Sequence, residues 1–174
     1  MSISHQQRMQ KKKAVIDDKI EAATVARGVL VVHTGNGKGK STAAFGVLAR
    51  ALGHGQRAAV VQFVKGRSDT GEEAFFRQQP GVTWHTGGAG FTWETQDRQA
   101  DKLAAQTVWQ EAKRLLADAS VSLVLLDELT YMIAYDYLDL DEVIDALVQR
   151  PMTQHVVITG RGCHRALLER TLGL

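Results

Sequence analysis

The feature that most restricts this chain is the run Thr34-Gly35-Asn36-Gly37-Lys38-Gly39-Lys40-Ser41-Thr42, set between a short apolar β-branched run and a helical pattern. Glycines at 35, 37 and 39 let successive backbone N–H groups turn inward around the oxygens of a phosphate. Lys40 adds a positive charge, Ser41 can reach a magnesium ion, and the N-terminus of the following helix favours an anion. Such a loop needs a strand before it and a helix after it, which commits the chain to alternating α and β elements. The strict pattern G-x-x-x-x-G-K-[ST] asks for glycine at position 34. Thr34 stands there, and the glycine comes one place later, at Gly35. The glycines and the Lys-Ser-Thr ending that carry the physics are present all the same.

The flanks agree with that demand. Val29 to Val32 is a continuous apolar run, as in a strand buried on both faces. A helix is expected from Lys40 to Leu52, with Phe45, Leu48 and Leu52 on one stripe and Gly53 at its end. Further strands are expected at 58–64, 82–85, 121–126 and 156–159. Helices are expected at 96–117 and at 139–149, the second stopped by Pro151. Strands alternating with helices predict a mainly parallel sheet with right-handed crossovers. Residues 1–27 differ: they hold Lys11, Lys12 and Lys13, and Met9, Ile16, Ile20 and Ala23 recur at roughly helical spacing. That segment reads either as a weakly amphipathic helix or as a disordered arm.

A second chemical signal is Val124-Leu125-Leu126-Asp127-Glu128, an apolar strand ending in two carboxylates. Beside a phosphate loop this is the Walker B arrangement, in which an acid holds Mg²⁺ directly or through water. The reading places these acids at a strand tip adjacent to the loop, with Ser41, Asp127 and Glu128 as candidate metal ligands. Glu128 itself stays ambiguous, since a carboxylate there can orient an attacking water or serve the metal. The expected fold is thus α/β, of P-loop NTPase (RecA-like) type. The nucleotide-binding domain spans 28–174, after an N-terminal helical arm over 1–27.

Composition narrows the function classes. The chain has 174 residues, enough for one domain with its own core. Lysine and arginine exceed the acids by only +2, so bulk charge gives no case for nucleic acid. Cys163 is the single cysteine, which excludes a disulfide scaffold and fits a reducing, cytoplasmic location. No apolar run approaches the ~18 residues of a membrane span, and the polar, basic start lacks the apolar centre of a secretory signal.

Phe91 and Trp93 come after the glycine-rich stretch Gly87-Gly88-Ala89-Gly90. At i, i+2 on extended chain the two rings point the same way. That placement suits a flat apolar ligand, and it equally suits two rings plugging the edge of a core. Arg161, after the last strand, points to the same sheet edge, where it can meet sugar or phosphate or form a surface ion pair. Lys65 is a weaker candidate of the same kind. Cys163-His164 reads as structural, and Tyr131, Tyr135 and Tyr137 as packing residues.

Taken together, TGNGKGKSTAAFG, VVQFVKG, GFTWETQDRQAD, LLDELTYMIAYDYL and ITGRGCHR, in this order, resemble the P-loop type of corrinoid adenosyltransferase. The resemblance runs essentially from Gln6 to Arg165, and in that family the late glycine of the loop is normal. It implies a reaction in which Co(I) of a corrinoid attacks the 5′-carbon of ATP and triphosphate leaves. Lys40 and Glu128 become the expected catalytic residues. Nucleotide contacts would come from Gly35, Asn36, Gly37, Lys38, Gly39, Lys40, Ser41, Thr42 and Arg161, with the nucleotide reversed in the loop and Asn36 near the sugar. Phe91 and Trp93 match the wedge that displaces the lower axial ligand of Co(II), so that a flavodoxin-like protein can reduce it. The resemblance further implies a homodimer, in which the basic arm covers the corrinoid site of the partner subunit. Family members continue beyond the segment matching Gly160–Arg165 with another strand-like stretch and a tail. Nine residues come after Arg165 here, and a missing last strand is expected to leave a sheet edge open.

Two other readings of the residues compete with this one. One is a P-loop ATPase or kinase in which Glu128 activates water or a hydroxyl. The other is a non-catalytic module that binds nucleotide or corrinoid.

Overall fold

The structure is a computed structural model that describes residues 4–64, 70–87 and 97–171. Five strands form one all-parallel sheet: β1 (Leu30–His33), β2 (Ala58–Gln62), β3 (Val82–Thr86), β4 (Leu123–Asp127) and β5 (His155–Thr159). Their order across the sheet is β1-β5-β4-β2-β3. The described helices are α1 (His5–Ala22), α2 (Lys40–Gly53), α3 (Gly71–Phe76), α4 (Arg98–Leu116), α5 (Leu129–Ala134), α6 (Leu140–Gln149) and α7 (Arg165–Thr171). The architecture is that of a P-loop NTPase-like α/β protein, as the alternation of elements requires.

One expectation about the sheet is corrected. The tip of β4 is not adjacent to the phosphate-loop strand, because β5 lies between β1 and β4. Each inner strand therefore pairs on both sides: Val124 faces Ala59 on one side and Val156 on the other. Central strands buried this way are nearly uniform in hydrophobicity, so their sequences carry no mark of their order.

Helices cover both faces. On one, α2 brings Ala44, Phe45, Leu48 and Ala51 onto Val60, Trp84, Leu125 and Val157, with Phe45 stacked on Trp84 at 5.8 Å between centroids. On the other, α4 presents Ala105, Val108, Trp109, Ala112, Leu115 and Leu116, and α6 adds Val143, Ile144 and Leu147. The i, i+3, i+4, i+7 spacing in α4 is what makes that stripe continuous. Trp109 is 1% exposed, and its indole N–H donates to Glu142 Oε1 at 3.1 Å. Truncating such a ring costs ~3–5 kcal/mol.

Element ends reflect local chemistry. α4 begins at Arg98 because the Asp97 carboxylate accepts from the N–H groups of Gln99 and Ala100, each at 3.0 Å. β4 begins two residues later than expected, since the N–H of Val121 turns back to Asp118 O at 3.1 Å. The short helices α3, α5 and α7 were not anticipated, as six or seven residues give too little periodicity to read. α1 carries a capping box in which Ser4 and Gln7 exchange hydrogen bonds of 3.0 and 3.3 Å. It buries none of its residues and leaves Met9, Val15, Ile16 and Ile20 exposed. Helix α7 comes after β5, and β1 forms one edge of the sheet.

Candidate active site

Parallel strands all end on one side, so β1, β4 and β5 deliver their following turns to the same edge. From β1 comes the loop 34–39. Gly35 and Gly39 have φ of +112° and +100°, which an L side chain resists. Gly39 is the residue before α2, and no side chain caps that helix. The first N–H groups of α2 thus have no side-chain acceptor and point their partial positive charge at the loop. Lys40, the first residue of α2, folds its ammonium back to Gly35 O at 2.9 Å and to Gly37 O. Its charge is thereby held inside the ring of the loop.

From β4 come the two acids, which sit in different surroundings. Asp127 is 4% exposed. Its Oδ1 accepts from the Thr159 hydroxyl at 2.6 Å and its Oδ2 from the Gln62 amide at 3.1 Å. Glu128 has φ +61° and ψ 24°, a left-handed conformation costly for a side chain of this type. Its backbone N–H donates to Thr159 Oγ1 at 2.9 Å. Its carboxylate Oε2 is buried with no hydrogen-bond partner. Burial raises the Glu128 carboxyl above the ordinary range, and the Asp127 charge adds to the effect. Lys40 and Arg161 pull it back. Lys40, Arg161 and both acids therefore share one electrostatic neighbourhood.

From β5 comes the turn at Gly160 and Arg161. Gly160 has φ +139°, and a Cβ there would lie 2.0 Å from Thr130 Oγ1 and 3.2 Å from Glu128 Oε2. Only glycine lets this turn pass so close to the acid. The Thr130 hydroxyl in α5 donates to Arg161 O at 2.7 Å and fixes the turn from the other side.

The remaining candidates occupy a range of environments. Asn36, Gly37 and Lys38 are exposed on the loop, Ser41 is half-buried, and Thr42 lies exposed in the first turn of α2. Phe91, Trp93 and Lys65 lie outside the described residues. His164 is structural, its Nδ1 accepting from Ala166 N at 3.2 Å just before α7. Burial pushes the Cys163 thiol up, which favours its protonated form. The tyrosines are not simply core: Tyr137 is buried, while Tyr135 is 44% exposed. Tyr135 stacks on Tyr131 at 6.1 Å. Thr159 and Gln62 were missed by the sequence reading. Each is a polar residue closing an apolar strand, and that was the available signal.

Two findings from known proteins join the geometry. The family description ATP:corrinoid adenosyltransferase BtuR/CobO/CobP matches residues 26–171. The chain is 56% identical over 166 residues to the corrinoid adenosyltransferase of Pseudomonas aeruginosa, covering 95% of this chain and 82% of that one. It is 54% identical over 165 residues to the corrinoid adenosyltransferase of Escherichia coli K12 and to corrinoid adenosyltransferase CobA of Salmonella typhimurium. Each of those matches covers 95% of this chain and 84% of the relative. The fold is that of a P-loop NTPase-like α/β enzyme. The chain belongs to the ATP:corrinoid adenosyltransferase family.

Proposed function

We propose that the C-terminal edge of this sheet is where the chain transfers the 5′-deoxyadenosyl group of ATP to the Co(I) centre of a corrinoid. The activity is the family's; the assignment of roles to residues is our reading. The observation that carries it is the joint placement of the Lys40 ammonium, the uncapped start of α2 and the Glu128 carboxylate at one edge.

In the transfer, the electron pair of Co(I) forms the cobalt–carbon bond at C5′. The C5′–O bond breaks, and its pair leaves on triphosphate. Charge therefore grows on the leaving group, and fixed donors aimed at it lower the barrier. Lys40 and the amides of residues 35–42 supply those donors. Arg161 adds a cation from the β5 turn, and Asn36, exposed on the loop, is our candidate for contact with the sugar.

The donor set fits Mg²⁺. Among the described residues no group of three or more His, Cys, Asp or Glu could hold a metal by itself. Mg²⁺ at phosphates typically takes one or two protein oxygens and otherwise water and phosphate. Ser41 and Glu128, whose Oε2 lacks a partner, would hold the cation. Asp127 would stand behind them, since protein groups already engage both of its oxygens. When bound, the cation supplies further neutralisation of the triphosphate.

Phe91 and Trp93 are assigned to the corrinoid, as rings that exclude water and offer cobalt no lone pair while a flavodoxin-like protein delivers the electron. The exposed apolar residues of α1 support its use as a cover over the corrinoid site of a second subunit in a homodimer. No described helix is long and apolar enough to cross a membrane, and a cytoplasmic location is our reading.

The test is product analysis with reduced cobalamin, ATP and Mg²⁺. Triphosphate in step with a cobalt–carbon product is expected. Steady release of orthophosphate or ADP without any corrinoid would overturn the reading in favour of an ATPase or kinase.

A further inference from the structure

Thr159 closes β5 and is fully buried, at 0% exposure. It stands between the two strands whose tips form the site, in register with His33 of β1 on one side. On the other side its hydroxyl reaches the acids of β4. A hydroxyl has one proton to give and two lone pairs with which to accept. Here the proton goes to Asp127 Oδ1 at 2.6 Å, a short, charge-assisted contact. A lone pair takes the backbone N–H of Glu128 at 2.9 Å. One buried atom thus orients the first carboxylate and ties down the left-handed backbone of the second. The Gln62 amide completes the cradle on Asp127 Oδ2, so the first acid cannot turn independently of β2 and β5.

We propose that Thr159 is a positioning residue of the phosphate and cation site, its hydroxyl coupling Asp127 to the Glu128 backbone and so aiming the free Glu128 carboxylate oxygen. The proposal rests on the assignment of that carboxylate to the cation. Without the hydroxyl, Asp127 Oδ1 and the Glu128 N–H both lose their partner. The left-handed turn then loses the bond that offsets its strain. Thr159 is fully buried and acts through the two acids that it bonds.

The test uses the full chain, ATP and no corrinoid, with Mn²⁺ as a paramagnetic probe for the Mg²⁺ site. Thr159→Val keeps the shape and the β-branch and removes only the hydroxyl. Groups that orient metal ligands typically contribute ~10–100-fold in metal affinity, and a loss in that range is expected for Mn²⁺ in the presence of ATP. Metal-free ATP affinity should stay at the wild-type value, because the loop and Lys40 are untouched. Thr159→Ser, which restores the hydroxyl, should recover most of the Mn²⁺ affinity. Wild-type Mn²⁺ affinity in Thr159→Val would overturn the proposal. So would equal losses in the Val and Ser variants that track their melting temperatures. If the Val variant does not fold, Thr159→Cys, with a weakly donating thiol of similar size, carries the same comparison against Ser. Failure of the site assignment would show in the wild type itself, as Mn²⁺ binding that ATP does not enhance, and would take this proposal with it.

Discussion

The two ends of the sheet are built on opposite principles. The C-terminal end holds a strained non-glycine turn and an unmatched polar atom: Glu128 has φ +61°, and its Oε2 is buried without a partner. At the N-terminal end, backbone groups are tied off. Gln154, 1% exposed, uses its amide to donate to Leu115 O, Asp118 O and Val121 O at 3.0 to 3.1 Å, closing the end of α4. The Arg150 guanidinium donates to Leu147 O and Gln154 O, closing the end of α6. Gln154 Oε1 is left unmatched there, because turning the amide over would set an oxygen against three carbonyls. One end spends its polar groups on holding the fold. The other keeps donors and a carboxylate uncommitted, and the rigid sheet between them lets it do so.

This contrast is broken most sharply by Lys40→Ala. Removing a charge fixed against a leaving group costs ~10²–10³ in rate. Triphosphate release should fall by that factor, while the melting temperature stays at the wild-type value. Near wild-type turnover at saturating ATP would remove Lys40 from its role.

A change of the same kind in the aromatic segment should be more selective. Trp93→Ala or Phe91→Ala should leave ATP binding intact and strongly impair adenosylation from Co(II) with a protein reductant. The loss should be much smaller from chemically reduced Co(I). Equal losses in both assays, with a lowered melting temperature, would assign the rings to packing.

The opposite end should respond in the opposite way. Gln154→Leu removes the amide's bonds to the three carbonyls that it draws together, at a cost of ~1–3 kcal/mol. For a chain of this size each kcal/mol lowers the melting temperature by about 2–4 °C. Turnover at 25 °C should be unchanged, and a slow but thermally normal variant would contradict the division of labour.

The smallest effect sharpens the comparison within the active edge. The Glu128 carboxyl titrates above its ordinary value of 4.5, chiefly because burial disfavours its charge. In the folded state it therefore holds its proton more tightly than in the unfolded chain. That contribution to stability is fully present below about pH 4.5 and is lost as pH rises through the folded value. Glu128→Gln has no charge to bury. Without nucleotide or cation it should melt slightly higher than wild type at neutral pH, and that advantage should vanish below about pH 4.5. A melting difference independent of pH would show that the carboxyl carries no burial penalty.

Much of this was legible in the chain itself. The loop from Thr34 to Thr42 announces its own turn, because glycine spacing and a helix start just after it are local properties. Five apolar runs between helical patterns predict a parallel sheet, and Asp127-Glu128 mark the end of one of them. The buried stripe of α4 comes from its 3.6-residue period. These features are set by residues within a few positions of one another, and hydrophobic burial then leaves little choice of which face turns inward.

Tertiary structure alone decided which strand lies beside which, and with it every contact between distant polar groups. Uniformly apolar central strands carry no pairing code, so nothing in the sequence places β5 between the loop strand and the acid strand. Yet that placement brings the Thr159 hydroxyl to Asp127, 32 positions away, and Gln62 to the same carboxylate from 65 positions away. The left-handed turn at Glu128 is a product of the same neighbourhood, since glutamate has no intrinsic preference for it. Local sequence determined which elements form and which charges they carry. The direction in which those charges point was settled only when the strands were laid side by side, because hydrogen bonds act over about 3 Å whatever the separation along the chain.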